Sequence, residues 1–307
     1  MSDTPRTSAA SLAEFRRSRG RTPPLETRSV EARGLRFHVR LSPPVAGAVP
    51  LLCVNGGLIF DHASLWPTMA PLAERRQVVL YDQRGRGKSQ APPGARAARI
   101  EHDAGDIPAL RAALGIARWD ILGHSWGGGI SMLAAAQDQA AVRRLVLVDA
   151  VGPSGWWLPT LHAAALRRLA GRPEHATLAA LDPTTLHEPD PRAHAAYARA
   201  FSPAWFANPE LAAPFTPPLA ESPTGAAAAT RLRRGGYDWR ATLRALDVPT
   251  LVLFGEEDLL PLAVAEELVA TLPRARLATV PDAGHMPFWE NPAHFFRVVE
   301  QWLDDTV

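Results

Sequence analysis

Ser125 lies in the pattern Gly-His-Ser-Trp-Gly, which occupies residues 123–127, directly after an apolar run and before a helix-forming stretch. This order of strand, serine and helix is the context in which a sharp turn exposes a serine hydroxyl as a nucleophile. The small residues Gly123 and Gly127 allow such a turn, and the following helix directs its N-terminal dipole toward developing negative charge. We therefore predict that Ser125 attacks a carbonyl carbon.

A serine hydroxyl is a weak nucleophile and needs a neighbouring base. His285 follows the strand-like run 277–280 in a loop flanked by glycine and proline, and we predict that it is this base. Asp258, which follows the run 251–254, is predicted to orient the imidazole and to stabilise its protonated form. The other carboxylates that the pattern leaves open are Glu256, Glu257 and Asp149.

A tetrahedral oxyanion needs two backbone N–H donors. The first donor is predicted to be Trp126, the residue after the nucleophile. The second is assigned to Gly57 in the segment Asn-Gly-Gly-Leu at 55–58, because glycine lets the backbone approach the substrate closely. Asn55 in the same segment is predicted to border the substrate pocket.

Short apolar runs alternate with helix-length segments along the rest of the chain. The predicted strands are 35–41, 50–54, 78–81, 121–122, 145–148, 251–254 and 277–280, and the predicted helices lie near 64–75, 104–115, 127–138, 262–272 and 291–304. Continuous apolar strands are typical of a parallel sheet that is buried on both faces. The pattern predicts an α/β fold with a mostly parallel central sheet flanked by helices.

Residues 151–238 break this alternation, since they contain 12 of the 29 prolines and no strand-like run. We predict that they form a helical cap inserted between two parts of the core, 28–150 and 239–307, after a flexible N-terminal segment at 1–27. Aromatic side chains of the cap are expected to line an apolar pocket above the serine. The tryptophans predicted to do so are Trp156, Trp157 and Trp205.

The composition excludes several classes of function. No apolar run is long enough to cross a membrane, and the single cysteine, Cys53, fits a reducing, cytoplasmic location. Residues 41–307 carry 24 basic and 27 acidic residues without a cationic stripe beside aromatics, so no nucleic-acid partner is expected. No metal-ligating motif occurs, and we expect neither a metal nor a cofactor.

Over residues 30–307 the sequence resembles the α/β-hydrolase superfamily. The resemblance rests on Gly-His-Ser-Trp-Gly-Gly at 123–128, on the segment 81–89 (Tyr-Asp-Gln-Arg-Gly-Arg-Gly-Lys-Ser) and on Ala-Gly-His at 283–285. Residues 82–89 and 55–57 are most similar to the proline iminopeptidase branch. The oxyanion strand of that branch ends in His-Gly-Gly-Pro-Gly, and Asn55 and Leu58 depart from it here. The resemblance implies the α/β-hydrolase fold and a triad in the chain order Ser125, Asp258, His285.

Together these observations predict a serine hydrolase that cleaves a small carboxylic ester, lactone or amide through an acyl-enzyme. The alternative is a proline iminopeptidase-like aminopeptidase, which would need carboxylates facing the pocket to bind the ammonium group of its substrate. The cap carboxylates available for this are Glu174, Asp182, Glu188, Asp190, Glu210 and Glu221. The sequence also permits a carbon–carbon hydrolase, a perhydrolase or a non-catalytic receptor of this fold, and it does not indicate an oligomeric state.

Overall fold

The computed structural model describes residues 22–212 and 221–305, and their strands form one eight-stranded sheet. The strands are β1 (Glu26–Ala32), β2 (Leu35–Leu41), β3 (Leu51–Val54), β4 (Val78–Tyr81), β5 (Trp119–His124), β6 (Val142–Val148), β7 (Thr250–Gly255) and β8 (Ala275–Val280). Their order across the sheet is β1-β2-β4-β3-β5-β6-β7-β8. Only β2 pairs antiparallel, with β1 and β4, and every other pairing is parallel. The predicted fold class is confirmed.

Helices cover both faces of this sheet. They are α1 (Ile100–Ala113), α2 (Trp126–Gln137), α3 (Leu161–Arg168), α4 (Pro173–Ala179), α5 (Pro191–Phe201), α6 (Pro223–Gly235), α7 (Arg240–Leu243), α8 (Leu262–Thr271), α9 (Pro287–Glu290) and α10 (Pro292–Asp304). Helices α1, α2, α7 and α8 pack with Leu52 and Val54 of β3, whereas α10 and the 3₁₀ helix Ala70–Glu74 pack with Leu51 and Cys53. Since successive side chains of a strand point to opposite faces, both faces must be apolar, which explains the continuous apolar runs.

The segment between β6 and α7 contains helices α3 to α6 and no strand among its described residues. Its helices enclose a small apolar core of their own, which includes Leu178, Leu186 and Phe201 and also takes in Leu259 from the main domain. The many prolines serve as helix starts, because α4, α5 and α6 all begin with proline, where a backbone N–H is not needed.

The structure corrects two local predictions. The segment 64–75, predicted as one helix, forms two short 3₁₀ helices, His62–Ser64 and Ala70–Glu74, because Pro67 and Pro71 interrupt a longer helix. Strand β1 begins at Glu26 and pairs with β2, so the chain is already ordered before residue 28. Residues 1–21 of the predicted flexible segment lie outside the described residues. Within the described chain, no helix has both the length and the apolarity to cross a bilayer.

Candidate active site

Ser125 occupies the tight turn between β5 and α2. Its backbone has φ 56° and ψ −123°, a conformation that non-glycine residues rarely adopt and that persists only when the surroundings enforce it. A Cβ atom on Gly127 would overlap the carbonyl oxygen of Val54, and one on Gly123 would lie 2.5 Å from the carbonyl oxygen of Gly127. The two glycines therefore let α2 pack directly on the ends of β3 and β5, which holds the serine in its strained turn.

The loop 55–58 lies against this turn. A Cβ atom on Gly56 would come 2.6 Å from the Cβ of Ser125, so the loop backbone and the serine are in direct contact. Within the described part of the chain, the N–H groups of Gly57 and Trp126 have no hydrogen-bond acceptor. Trp126 is the first residue of α2, where the helix leaves the N–H unpaired. Both N–H groups are thus available to an oxygen of a bound molecule.

His285 and Asp258 form a buried pair at the ends of β8 and β7. The Nδ1 atom of His285 lies 3.0 and 2.9 Å from the two carboxylate oxygens of Asp258, whose side chain is 1% exposed. The N–H of Leu260 also donates to Asp258, and the N–H of His285 donates to the carbonyl oxygen of Trp205. Because Nδ1 is engaged with the carboxylate, Nε2 is the nitrogen left to exchange a proton. Ser125 and His285 line the same cavity.

Of the four carboxylates that the sequence left open, Asp258 is the one hydrogen-bonded to His285. Glu256 is exposed and accepts a hydrogen bond from the Thr279 hydroxyl, and Glu257 is exposed. Asp149 is fully buried after β6, and one of its oxygens accepts the N–H of Gly255 at 2.8 Å. Burial, together with the nearby charge of Asp258, raises the pKa of Asp149 well above its usual range. Asp149 is therefore a buried carboxyl beside the pair whose ionisation is disfavoured.

His124, which precedes the serine, was not identified from the sequence as part of the site. Its Nε2 lies 2.8 Å from the carbonyl oxygen of His285, to which it donates a hydrogen bond. Burial is the main cause that lowers the pKa of His124 to about 3, so the ring is neutral and its one proton is on Nε2. This contact joins the serine turn to the histidine loop across 161 residues of chain.

Glu290 on α9 connects the histidine loop to the cap. One carboxylate oxygen accepts the N–H of Gly284 at 2.8 Å, and the other accepts the N–H of Ala207 at 2.7 Å. Burial raises the pKa of Glu290 to about 8, although the backbone hydrogen bonds act in the opposite direction. The sequence around this glutamate does not distinguish it from a surface residue, because only the folded chain brings it close to the N–H groups of both partners.

Replacing Glu290 with alanine is expected to lower the free energy of unfolding by roughly 2–4 kcal/mol, since two buried N–H groups lose their acceptor. A carboxyl whose pKa is raised in the folded state stabilises the protein fully below its unfolded pKa and loses that contribution as pH rises through about 8. The stability gap between the wild type and Glu290→Ala should therefore narrow from acidic to alkaline pH. Urea unfolding at several pH values measures both effects.

Glu266→Ala is the matched control for this experiment, because Glu266 is exposed on α8 and its loss should change stability by less than about 0.5 kcal/mol. Equal stability of Glu290→Ala and wild type would show that the two hydrogen bonds do not hold the loop.

The cavity above Ser125 has a volume of about 500 Å³ and lies between the core and the cap. Of the predicted pocket residues, Trp157 and Trp205 line it. Trp156 does not, because its ring is 48% exposed and its indole N–H donates to Glu267 on the outer surface. Asn55 is buried beneath the loop instead, where its amide donates to the carbonyl oxygens of Gly56 and Phe60.

The described lining of this cavity is mostly apolar and contains no carboxylate side chain. Apolar members include Phe60, Trp126, Leu161, Phe201, Leu259 and Met286. The six cap carboxylates are used elsewhere: Glu174, Glu188 and Glu221 pair with arginines, Asp182 and Asp190 cap helices, and Glu210 is exposed in the 3₁₀ helix Pro209–Ala212. Arg233 of α6 is the permanently charged residue among the described lining side chains.

Among the described residues, two groups of side chains have ligand atoms close enough together to bind one metal ion. They are His38, His62 and Asp82, and Asp149, Asp258 and His285. In each group a histidine nitrogen already lies within hydrogen-bond distance of a carboxylate oxygen. Asp82 in addition accepts the N–H groups of His62 and Lys88. A metal at either place would have to break these hydrogen bonds, so the donor sets fit hydrogen bonding better than coordination.

The chain belongs to the α/β-hydrolase family, since a family model described as alpha/beta hydrolase fold matches residues 49–292. The fold described above agrees with this membership, and the protein is a hydrolase.

Known proteins of several activities are similar to it. A proline iminopeptidase of Lactobacillus delbrueckii subsp. lactis is 27% identical over 292 residues, which cover 87% of this chain and 94% of that protein. A 2-hydroxymuconate semialdehyde hydrolase of Pseudomonas putida is 31% identical over 247 residues, covering 75% and 78%. The structure of an enol-lactonase from Burkholderia xenovorans superimposes with a TM-score of 0.64 at 25% identity, covering 91% of this chain and all of that one.

Proposed function

We propose that this hydrolase cleaves a carboxylic ester or lactone through an acyl-enzyme formed on Ser125. The observation that carries the proposal is the combination of the strained serine and the His285–Asp258 pair with a largely apolar cavity that contains no carboxylate. The serine and the His285–Asp258 pair are the groups that acyl transfer requires. The cavity favours an uncharged or anionic substrate over one that carries an ammonium group.

In the proposed reaction the Ser125 hydroxyl oxygen attacks the carbonyl carbon of the substrate while Nε2 of His285 takes the hydroxyl proton. The negative charge that develops on the carbonyl oxygen is stabilised by the N–H groups of Gly57 and Trp126. Asp258 holds the imidazole in the required tautomer and stabilises its protonated form. The protonated imidazole then gives its proton to the departing alcohol oxygen, which leaves the acyl group on the serine.

Deacylation repeats these roles with water as the nucleophile. His285 removes a proton from the water, whose oxygen attacks the acyl carbon, and the same two N–H groups stabilise the second oxyanion. Loss of the serine oxygen, which regains the proton from His285, releases the carboxylic acid. Each cycle thus consumes one substrate molecule and one water molecule and restores Ser125 and His285 to their starting protonation states.

The iminopeptidase similarity makes aminopeptidase activity the alternative to be tested. Such an enzyme would have to hold the free ammonium of its substrate, and a buried ammonium needs a carboxylate partner. In the described lining the charged side chain is instead Arg233, which would repel an ammonium. Ester or lactone hydrolysis is therefore the better-supported function.

We expect kcat/KM for p-nitrophenyl esters of short fatty acids to exceed that for prolyl- and alanyl-p-nitroanilide by at least about a hundredfold, the factor that one unpaired buried charge can cause. Release of nitrophenol or nitroaniline at matched enzyme concentration measures the ratio. Fluorophosphonate labelling followed by peptide mass mapping should place the adduct on Ser125. Prolyl-anilide turnover equal to ester turnover would instead make the iminopeptidase alternative correct.

A further inference from the structure

Arg233 is unusual among the arginines of the cap because it faces the cavity and has no acidic partner among the described residues. Arg172, Arg192 and Arg234 each pair with a glutamate. The cap arginines whose side chains form neither an ion pair nor a hydrogen bond within the described residues are Arg167, Arg199, Arg231 and Arg233. The first three are exposed to water, whereas Arg233 is partly buried and lines the cavity that contains Ser125.

The described residues around Arg233 do not neutralise its charge. The titratable side chains that interact with it electrostatically include Tyr197 and His194 of α5. Burial raises the pKa of Tyr197 to about 12 and lowers the pKa of His194, so both side chains are uncharged near neutral pH. A partly desolvated cation without a counter-ion is unfavourable, and a ligand that brings an anion into the cavity would remove that cost.

Polar groups near Arg233 could complete an anion site. The Tyr197 hydroxyl lies 2.6 Å from Nδ1 of His162, and both residues line the cavity. Burial lowers the pKa of His162, so this ring is neutral and can take part as a hydrogen-bond donor or acceptor. The planar guanidinium can bind both oxygens of a carboxylate in parallel hydrogen bonds.

We propose that Arg233 binds a carboxylate on the acyl portion of the substrate, so that the natural substrates are esters or lactones of acids that carry a second carboxylate. The inference rests on the proposed function, since it concerns the pocket that Ser125 would serve. The carboxylate belongs to the acyl portion because that portion remains in the cavity, bound to Ser125, through both halves of the reaction. Arg233 would then hold the acyl group in place until water cleaves it.

The test compares mono-p-nitrophenyl adipate, which has a terminal carboxylate, with p-nitrophenyl hexanoate, which has an acyl chain of the same length. The wild type should prefer the adipate ester at least tenfold in kcat/KM, and Arg233→Met should reduce this preference by a factor of about ten to a hundred, as expected for a charge-assisted hydrogen bond. Succinate, glutarate and pimelate hemiesters show which chain length reaches Arg233 best. Preference for the hexanoate ester at every length would overturn the inference.

Arg234→Met is the matched control, because Arg234 is the next residue of α6, points to the exposed Glu188 and does not line the cavity. It should keep the wild-type preference. Arg233→Lys should retain part of it, since it keeps the charge and loses the planar fork. Circular dichroism and Tm confirm folding, and Arg233→Gln replaces Arg233→Met if the latter does not fold. Equal loss of preference in the Arg233 and Arg234 variants would contradict a specific site.

The outcomes separate this inference from the proposed function. Hydrolysis of both esters without an adipate preference would leave the serine hydrolase standing and overturn the anion site. If neither ester is cleaved and Ser125 does not react with a fluorophosphonate, the proposed function fails. Calorimetric binding of monomethyl adipate then decides: binding at least tenfold tighter to wild type than to Arg233→Met supports the anion site, and equal binding overturns it.

Discussion

Ser125→Ala is expected to lower kcat for p-nitrophenyl hexanoate by at least about three orders of magnitude, because the variant has no oxygen that can form the acyl-enzyme. The residual rate should come from the two free N–H groups and from substrate binding alone. The variant should fold as well as the wild type. Alanine has the same Cβ as serine and keeps the backbone hydrogen bonds of Ser125. The N–H of this residue donates to the carbonyl oxygen of Val148, and its carbonyl oxygen accepts the N–H groups of Gly128 and Val151.

Ser131→Ala is the matched control for this comparison. Ser131 lies on the same helix α2, and its buried hydroxyl has no hydrogen-bond partner within the described residues. Its removal should change kcat by less than about threefold, since an unpaired hydroxyl contributes little. Stopped-flow measurement of a nitrophenol burst, present in wild type and Ser131→Ala and absent in Ser125→Ala, gives an independent readout. Ester turnover that survives in Ser125→Ala would show that another group is the nucleophile.

Asp258→Asn is expected to lower kcat by about 10⁴, whereas Asp149→Asn should lower it by less than about tenfold. An amide at position 258 would turn an NH₂ group toward Nδ1 of His285 and favour the wrong tautomer of the imidazole. An amide at position 149 replaces a carboxyl whose ionisation burial disfavours, and its oxygen can still accept the N–H of Gly255. The two chemically identical substitutions therefore separate an orienting carboxylate from a structural carboxyl.

Steady-state kinetics of the two variants, with the pH dependence of kcat/KM, measures the difference. The shape of this profile should change in Asp258→Asn and remain close to wild type in Asp149→Asn. A larger loss in Asp149→Asn than in Asp258→Asn would assign the orienting role to the carboxyl after β6 instead.

Much of the fold follows from local patterns in the sequence. The apolar runs of β3, β4 and β7 are short, continuous and bounded by glycine, proline or aspartate, so they identify strands buried on both faces. Ser125 and His285 are predicted for a related reason, because each follows a predicted strand in a glycine-containing turn. The 3₁₀ helices at 62–64 and 70–74 show where this logic fails, since Pro67 and Pro71 interrupt a helix-length segment, although Pro108 is accommodated within α1.

The pocket depends on orientations that only tertiary contacts fix. Trp156 and Trp157 are adjacent in sequence, yet the first turns out to Glu267 and the second turns in to the hydroxyl of Tyr237. Arg233 and Arg234 differ by one helical step of about 100°, which places one in the cavity and the other on the surface. Whether such a side chain faces the cavity or the solvent depends on how the cap packs, which composition and spacing do not determine.

The carboxyl group of Glu290 links the position of the cap to the position of His285. It holds Gly284 and Ala207 together, and the N–H of His285 is itself held by the carbonyl oxygen of Trp205. A displacement of the segment 205–207 would therefore remove backbone anchors of the histidine loop.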